Sequence, residues 1–342
     1  MVRPLSVAGG ALTPDPDAIM ATLPPRPGSI CVVGSVNADL VIRVATLPRP
    51  GETVLGGSFS SVHGGKGANQ AVAAARAGAA TTIVARVGDD PLGTAALGAL
   101  AAEGIDVSHV ATTPACATGV ALILVDGRGE NSIAVAGGAN DRLSPDDVER
   151  ARRAIEAADV LLVQLEVPLE TVVRAVAIAR AAGRTVVLNP APARPLPENL
   201  LAAVDVLTPN ETEAETLAAA PAADAFSLCR GLLGLGCRAV VLTRGAAGAV
   251  VATPSGSVPV PAVPVTAIDT VAAGDVFSGC LAVALAEGSD LVAACRFAAA
   301  AAAISVTREG AQASAPRRDE IEACRAGQSS PCSPGGGGTS TT

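Results

Sequence analysis

The sequence predicts an α/β fold: a three-layer sandwich with a mostly parallel central sheet and a small β-sheet projecting from it. Short apolar, β-rich runs alternate with helical segments over short links, the pattern of a parallel sheet covered on both faces. Two segments, residues 40–62 and 119–136, break that rhythm with β-rich runs and no helix between them. The length of 342 residues with 49% hydrophobic content is enough for a large core. Aromatics are 1% of the chain, so Ala, Val and Leu must build that core.

In chain order, Ile30–Val33 is a β-rich run closed by Gly34, consistent with a buried strand. Ala68–Ala77 is a helix of small residues. Thr81–Arg86 reads as a strand and Pro91–Ala102 as a helix. Val160–Gln164, Thr185–Leu188, Val204–Leu207 and Ala239–Thr243 are further apolar strands with helical segments between them. Within the second irregular segment, Val120–Val125, the turn Asp126–Gly129 and Asn131–Ala136 read as a hairpin. Six prolines from Pro4 to Pro27 mark residues 1–28 as a loose extension, and Gly/Ser-rich composition marks residues 327–342 as a disordered tail. One domain, 29–326, is expected between them.

Composition excludes several classes. Lys+Arg number 24 against 32 Asp+Glu, a net charge of −8, which disfavours nucleic acid. With no Trp or Tyr, base stacking has no platform. The eight cysteines form no C-x-x-C pair, and two histidines make no zinc constellation. Buried free thiols in a reducing compartment are expected. No apolar stretch approaches the roughly 20 residues of a membrane span, and the first 28 residues lack the pattern of a signal peptide. The chain is expected in the cytoplasm.

Chemistry concentrates at Asp269-Thr270-Val271-Ala272-Ala273-Gly274-Asp275. An apolar run from Cys280 to Ala286 follows and reads as a buried helix, which puts Ala273–Asp275 in its first turn. Free N–H groups and the dipole make such a start an anion site. A carboxylate there can take a proton from an alcohol, and an anion cradle beside a base suits phosphoryl transfer. The plain alternative for Asp275 is a helix cap. A second cluster, His63-Gly64-Gly65-Lys66-Gly67-Ala68-Asn69-Gln70, argues for a two-part site. It is no P-loop, because Gly67 rather than Ser or Thr follows Lys66. Gly234–Ala239 mimics a dinucleotide fingerprint, but it precedes a strand and is rejected. Asn37 and Asp39 follow the first strand, where hydroxyl contacts or turn chemistry are both open. Glu166, after a buried strand, can bind a hydroxyl or cap a helix. Asn210, Glu211 and Glu213 can cap and charge a first turn. Thr243–Gly248 joins two strands through a turn.

Five strings occur in order: Gly34–Asp39, Gly64–Gln70, Asn189–Ala193, Thr208–Glu215 and Asp269–Gly279. Together they resemble the ribokinase family of sugar kinases (pfkB carbohydrate kinases), from about residue 30 to about residue 323. The resemblance implies ATP-dependent phosphorylation of D-ribose at its primary 5-hydroxyl, with Asp275 as general base and 272–274 as the anion hole. It implies sugar contacts from Asn37, Asp39, Gly65, Lys66, Asn69, Glu166 and Asp275. Nucleotide contacts would come from Asn210, Thr243, Arg244, Gly245, Ala246, Ala247, Gly248, Gly274 and Ala299. Ala299 stands where close relatives can carry a polar residue, which bears on nucleotide affinity. Glu213 would organise Mg²⁺ through water. A K⁺ loop would comprise Asp269, Val271, Ser305, Arg308, Gly310 and Ser314. The projecting sheet would be a lid over the sugar and a homodimer contact. The rivals are a kinase of the same fold for deoxyribose, fructose or a nucleoside, and a non-catalytic sugar-binding regulator.

Overall fold

The computed structural model describes residues 27–219 and 224–327. Residues 1–26 and 328–342, the bulk of the two predicted extensions, lie outside the described residues. The strands in chain order are Ser29–Val33 (β1), Asn37–Arg43 (β2), Ser58–Gly64 (β3), Ala80–Gly88 (β4), Asp106–Thr113 (β5), Gly119–Val125 (β6) and Asn131–Ala136 (β7). Val160–Val163 (β8), Thr185–Leu188 (β9), Val206–Leu207 (β10), Ala239–Thr243 (β11), Ala249–Thr253 (β12) and Gly256–Val260 (β13) complete them.

Nine strands form one sheet in the order β13-β12-β11-β10-β9-β8-β1-β4-β5. It is parallel from β11 to β5, and only the β12 and β13 pairings are antiparallel. Strand alternation explains the layers. Ile30 and Val32 face one core with Ile83, Val160 and Leu162, while Cys31 and Val33 face the other with Leu161 and Val163. Helices Lys66–Arg76, Ala273–Ala286 and Leu291–Ser305 cover the first face. Helices Leu169–Ala181 and Ala225–Gly234 cover the second. The expected small-residue core is present: Ala71, Ala73, Ala74, Ala298 and Ala301 are all buried in the first cluster.

The four lid strands make a separate sheet ordered β3-β2-β6-β7. β2 runs parallel to β6, and β6 pairs antiparallel with β7 across the predicted 126–129 turn. Three elements differ from expectation. The strand expected at Val204–Leu207 shortens to β10, because Val204 sits in the turn that receives Arg238 N–H. β5 was unforeseen, since its Asp-Val-Ser-His-Val-Ala-Thr-Thr sequence at one edge is half polar. The strand expected after Gly248 is β12, but β13 at the edge was unforeseen, since its Gly-Ser-Val-Pro-Val sequence carries a glycine and a proline. Five of the seven described free cysteines are buried, as expected.

β1 leads through the lid to β4 on one side, while its neighbour β8 leads to β9 on the other. That divergence opens a crevice at the strand carboxyl ends, the usual ligand position of such sheets.

Candidate active site

The segments that leave β1 and β8 meet the starts of two helices at this crevice. Helix Lys66–Arg76 begins at Gly65, whose φ is +88°; a Cβ there would stand 2.7 Å from the Asn37 backbone nitrogen. Glycine is therefore needed for both conformation and space. Helix Ala273–Ala286 begins at Ala272, which adopts a left-handed φ of +58°. Neither helix has a side-chain cap at its N-terminus. Five helices elsewhere do, capped by Asp90, Ser144, Asn210, Asp224 and Asp290, whereas Leu169–Ala181 also starts without one. The Ala273 N–H donates weakly to Thr270 O at 3.3 Å.

Asp275 lies in the first turn, 5% exposed, and both of its oxygens are anchored. Asn69 Nδ2 donates to Oδ2 and Gln70 Nε2 to Oδ1, each at 3.0 Å. The two helices can approach this closely because Gly279 meets the Gln70–Ala74 stretch; a Cβ on it would be 2.6 Å from Gln70 O. Glu166 accepts from Ser35 Oγ at 2.6 Å and from the Lys66 N–H at 3.0 Å. Asn37 is held from behind: Asn140 Nδ2 donates to its Oδ1 at 2.7 Å while Asn140 Oδ1 accepts from Val36 N–H.

Charges crowd here. Burial, with the Glu166 and Asp275 charges adding, pushes the Asp39 carboxyl up to about 6. The Asp275 charge holds the Lys66 ammonium above its ordinary value against the opposing effect of burial, with Glu166 and Glu213 adding. Burial also raises Glu213, partly offset by its bond from Asn210 N–H and by Lys66. Lys66 thus stands among the carboxylates as their common counter-charge.

A cavity of about 180 Å³ is lined by Lys66, Thr208, Asn210, Glu213, Thr243, Thr270 and the 272–275 segment. A wider cleft of about 600 Å³ lies beyond it, lined by Glu211, Thr212, Asp224, Phe226 and Arg244. Asn37, Asp39, Gly65, Lys66, Asn69, Glu166, Glu213 and Asp275 therefore gather as the sequence implied. Asn210 and Glu213 also prove to be a reciprocal capping box, with bonds of 2.8 and 2.9 Å. The ordinary role foreseen for them is real, and one Glu213 oxygen is committed to it. Thr243 and Gly274 line the small cavity, whereas Arg244 pairs with Glu211 at 2.9 Å on the wider cleft. Gly245, Ala246 and Ala247 form an exposed turn, closed by Arg244 N–H donating to Gly248 O. Ala299 is half-buried against the first core and lines neither cavity.

The loops of the proposed cation site are joined. Asp269 accepts from Val271 N–H and from Gly310 N–H, both at 2.9 Å, and Ile268 N–H donates to Val306 O at 2.7 Å. Ser305 and Ser314 are buried, each hydroxyl donating to a carbonyl three residues earlier. Arg308 pairs with Glu320 instead of facing the loop oxygens. Among the described residues no group of three or more His, Cys, Asp or Glu could hold a metal. No described helix is long and apolar enough to cross a membrane.

Sequence reasoning missed Gln70, Gln164, Asn189, Asn140, Ser35 and Thr270. Gln70, Asn189, Ser35 and Thr270 stand inside the five strings. Their types fit any turn or core, so only the fold reveals what they touch.

The pfkB family carbohydrate kinase model matches residues 28–318. A ribokinase of Haemophilus influenzae is 45% identical over 295 residues, spanning 85% of this chain and 96% of that protein. The crystal structure of a Thermotoga maritima ribokinase superposes with a TM-score of 0.81 at 36% identity, over 87% of this chain and 99% of that one. An Arabidopsis thaliana ribokinase complexed with ribose and ATP gives 0.80 at 31% identity, over 87% and 99%.

Proposed function

Because the chain belongs to the pfkB family of carbohydrate kinases, we propose that it transfers the γ-phosphoryl group of ATP to the primary 5-hydroxyl of D-ribose. The products are D-ribose 5-phosphate and ADP. One observation carries the reading: a carboxylate, Asp275, anchored through both oxygens in the first turn of an uncapped helix at the wall of a polar cavity.

Asp275 accepts the proton of the attacking hydroxyl, and the oxygen so exposed attacks the γ-phosphorus. Backbone N–H groups of residues 272–274 face the charge that develops. Asn37, Asp39, Gly65, Lys66, Asn69 and Glu166 hold the sugar hydroxyls. Asn210 and the 243–248 turn hold the nucleotide, and Lys66 offsets negative charge. Mg²⁺ would screen the phosphates when bound, and the uncommitted oxygen of Glu213 suits the water-rich shell that this ion keeps. K⁺ fits the joined 268–271 and 305–314 loops, where oxygen donors suit a hard cation. Apolar lid residues support pairing of two chains.

Asp275→Asn keeps the size of the side chain and removes the base. It should lower kcat by about 10²- to 10⁴-fold with little change in ribose binding. Turnover within about threefold of the parent protein, roughly 0.6 kcal/mol of barrier, would remove Asp275 as base. A panel of ribose, 2-deoxyribose and fructose tests the acceptor, with ribose expected to give the highest kcat/KM. For the cation, turnover at fixed ionic strength should be faster in K⁺ than in tetramethylammonium. Equal rates would remove that site.

A further inference from the structure

Gln70 has no part in the reading above, yet it is fully buried beside the base. Its Nε2 donates to Asp275 Oδ1 at 3.0 Å and to Asn189 Oδ1 at 3.1 Å. Its Oε1 accepts from Gln164 Nε2 at 2.5 Å. Every polar atom of the amide is therefore used. Asn189 Nδ2 in turn donates to Thr208 O at 2.9 Å. Gln164 and Asn189 follow β8 and β9, Thr208 follows β10, and Gln70 reaches them from helix Lys66–Arg76 at the carboxyl ends of the sheet.

The chain of amides has a direction fixed from both ends. An ionised carboxylate only accepts, so Gln70 must present nitrogen to Asp275. The Thr208 carbonyl only accepts, so Asn189 must present nitrogen to it and oxygen to Gln70. Gln164 must then donate, which leaves its Oε1 buried without a partner. A buried acceptor left without a partner is unfavourable. The protein carries that cost at the one place where reversing Gln164 would set oxygen against Gln70 Oε1.

We propose that Gln70 is the positioning residue for Asp275: the Gln164–Gln70–Asn189 amide chain fixes the plane of the carboxylate and keeps it aimed at the substrate hydroxyl. This rests on Asp275 being the base. Gln70 does not line the cavity, so it acts through the two groups it holds there, Asp275 and Asn189, and removing the Asp275 carboxylate isolates the first share. A base misaimed by a fraction of an ångström loses rate without losing substrate.

The experiment is a double-mutant cycle of Gln70→Met, close in volume and unable to donate, with Asp275→Asn. Melting temperature confirms folding of each variant. Gln70→Met alone should lower kcat by about 10- to 100-fold while ribose KM stays within about twofold. In the Asp275→Asn background the same change should cost less than about threefold, because the group it aims is gone. Equal losses in both backgrounds would assign Gln70 a general structural role and overturn the proposal. So would a Gln70→Met enzyme of parental kcat while Asp275→Asn is inactive, which leaves the base assignment standing. An active Asp275→Asn enzyme removes the base and the proposal together. If the Met variant does not fold, Gln70→Glu, isosteric and still able to accept from Gln164, carries the same cycle. Its kcat must fall at least as far, and parental kcat would again overturn the proposal.

Discussion

Glu166, Glu213 and Asp275 place three carboxylates around Lys66, and a fourth, Asp39, is buried in the field of two of them. Asp39 holds its proton up to about pH 6, against an unfolded value of about 3.9. The folded state therefore binds more protons between those limits. The stability contributed by Asp39 is complete below the lower value and is lost as pH rises through the higher one. Asp39→Asn should raise the melting temperature of the ligand-free protein at roughly pH 8 and leave it nearly unchanged at roughly pH 3, below both values. A gap of equal size at both would show that Asp39 carries no such burden. The residue was legible in the sequence as a hydroxyl ligand; its protonation was not. That depends first on burial and then on Glu166 and Asp275, which lie 127 and 236 positions away in the chain and come close only in the fold.

Helix by helix, the alternation of apolar runs located most elements, and the Pro91–Ala102 helix and the 239–243 strand match to the residue. What periodicity could not supply was which helices touch. Helices Lys66–Arg76 and Ala273–Ala286 lean on one another at Gly279, and that contact brings Asn69 and Gln70 to Asp275. Gly→Ala inside a helix ordinarily stabilises by about 1 kcal/mol. At Gly279 the sign should reverse, because the added methyl meets Gln70 O at 2.6 Å and Ala73 Cβ at 2.9 Å. Gly279→Ala should cost about 1–3 kcal/mol and depress kcat more than it raises KM. Denaturant midpoints and steady-state rates check this, and a stabilised variant would mean that the crossing has slack. Arg76, at the far end of the first helix, donates to the carbonyls of Gln312 and Ala315 at 2.8 Å. The same helix thus also braces the loop that carries Ser314.

At the scale of the molecule, the lid leaves apolar side chains in water on both faces. Ile42, Phe59 and Leu122 share one face by strand register, and Val62 and Val135 share the face of Asp39. Phe59 is 65% exposed and Leu122 54%. Patches of this kind on a soluble domain mark interaction sites. The proposed homodimer should sediment at twice the chain mass, and Phe59→Asp with Leu122→Asp should shift it toward the monomer without loss of secondary structure. A parent protein that sediments as a monomer at micromolar concentration would end that reading. The two-sheet plan was readable because strands without helices cannot join a parallel sheet. The exposed faces were not, since an apolar residue in a strand looks the same to the sequence whether it is covered or bare.

The two helices that begin at the cavity start bare, while five others close their first turns with an Asp, Ser or Asn side chain. In the proposed reaction, a phosphate oxygen arriving at residues 272–274 would take the place such a side chain holds in those five. The ligand is then the last residue of the fold, in effect: it finishes a piece of secondary structure that the chain leaves open. Part of its binding energy goes to tightening that turn, and saturating substrate holds the native state in proportion to the logarithm of its concentration over Kd. Catalytic readiness and resistance to unfolding rise together in this design, because one bound anion supplies both.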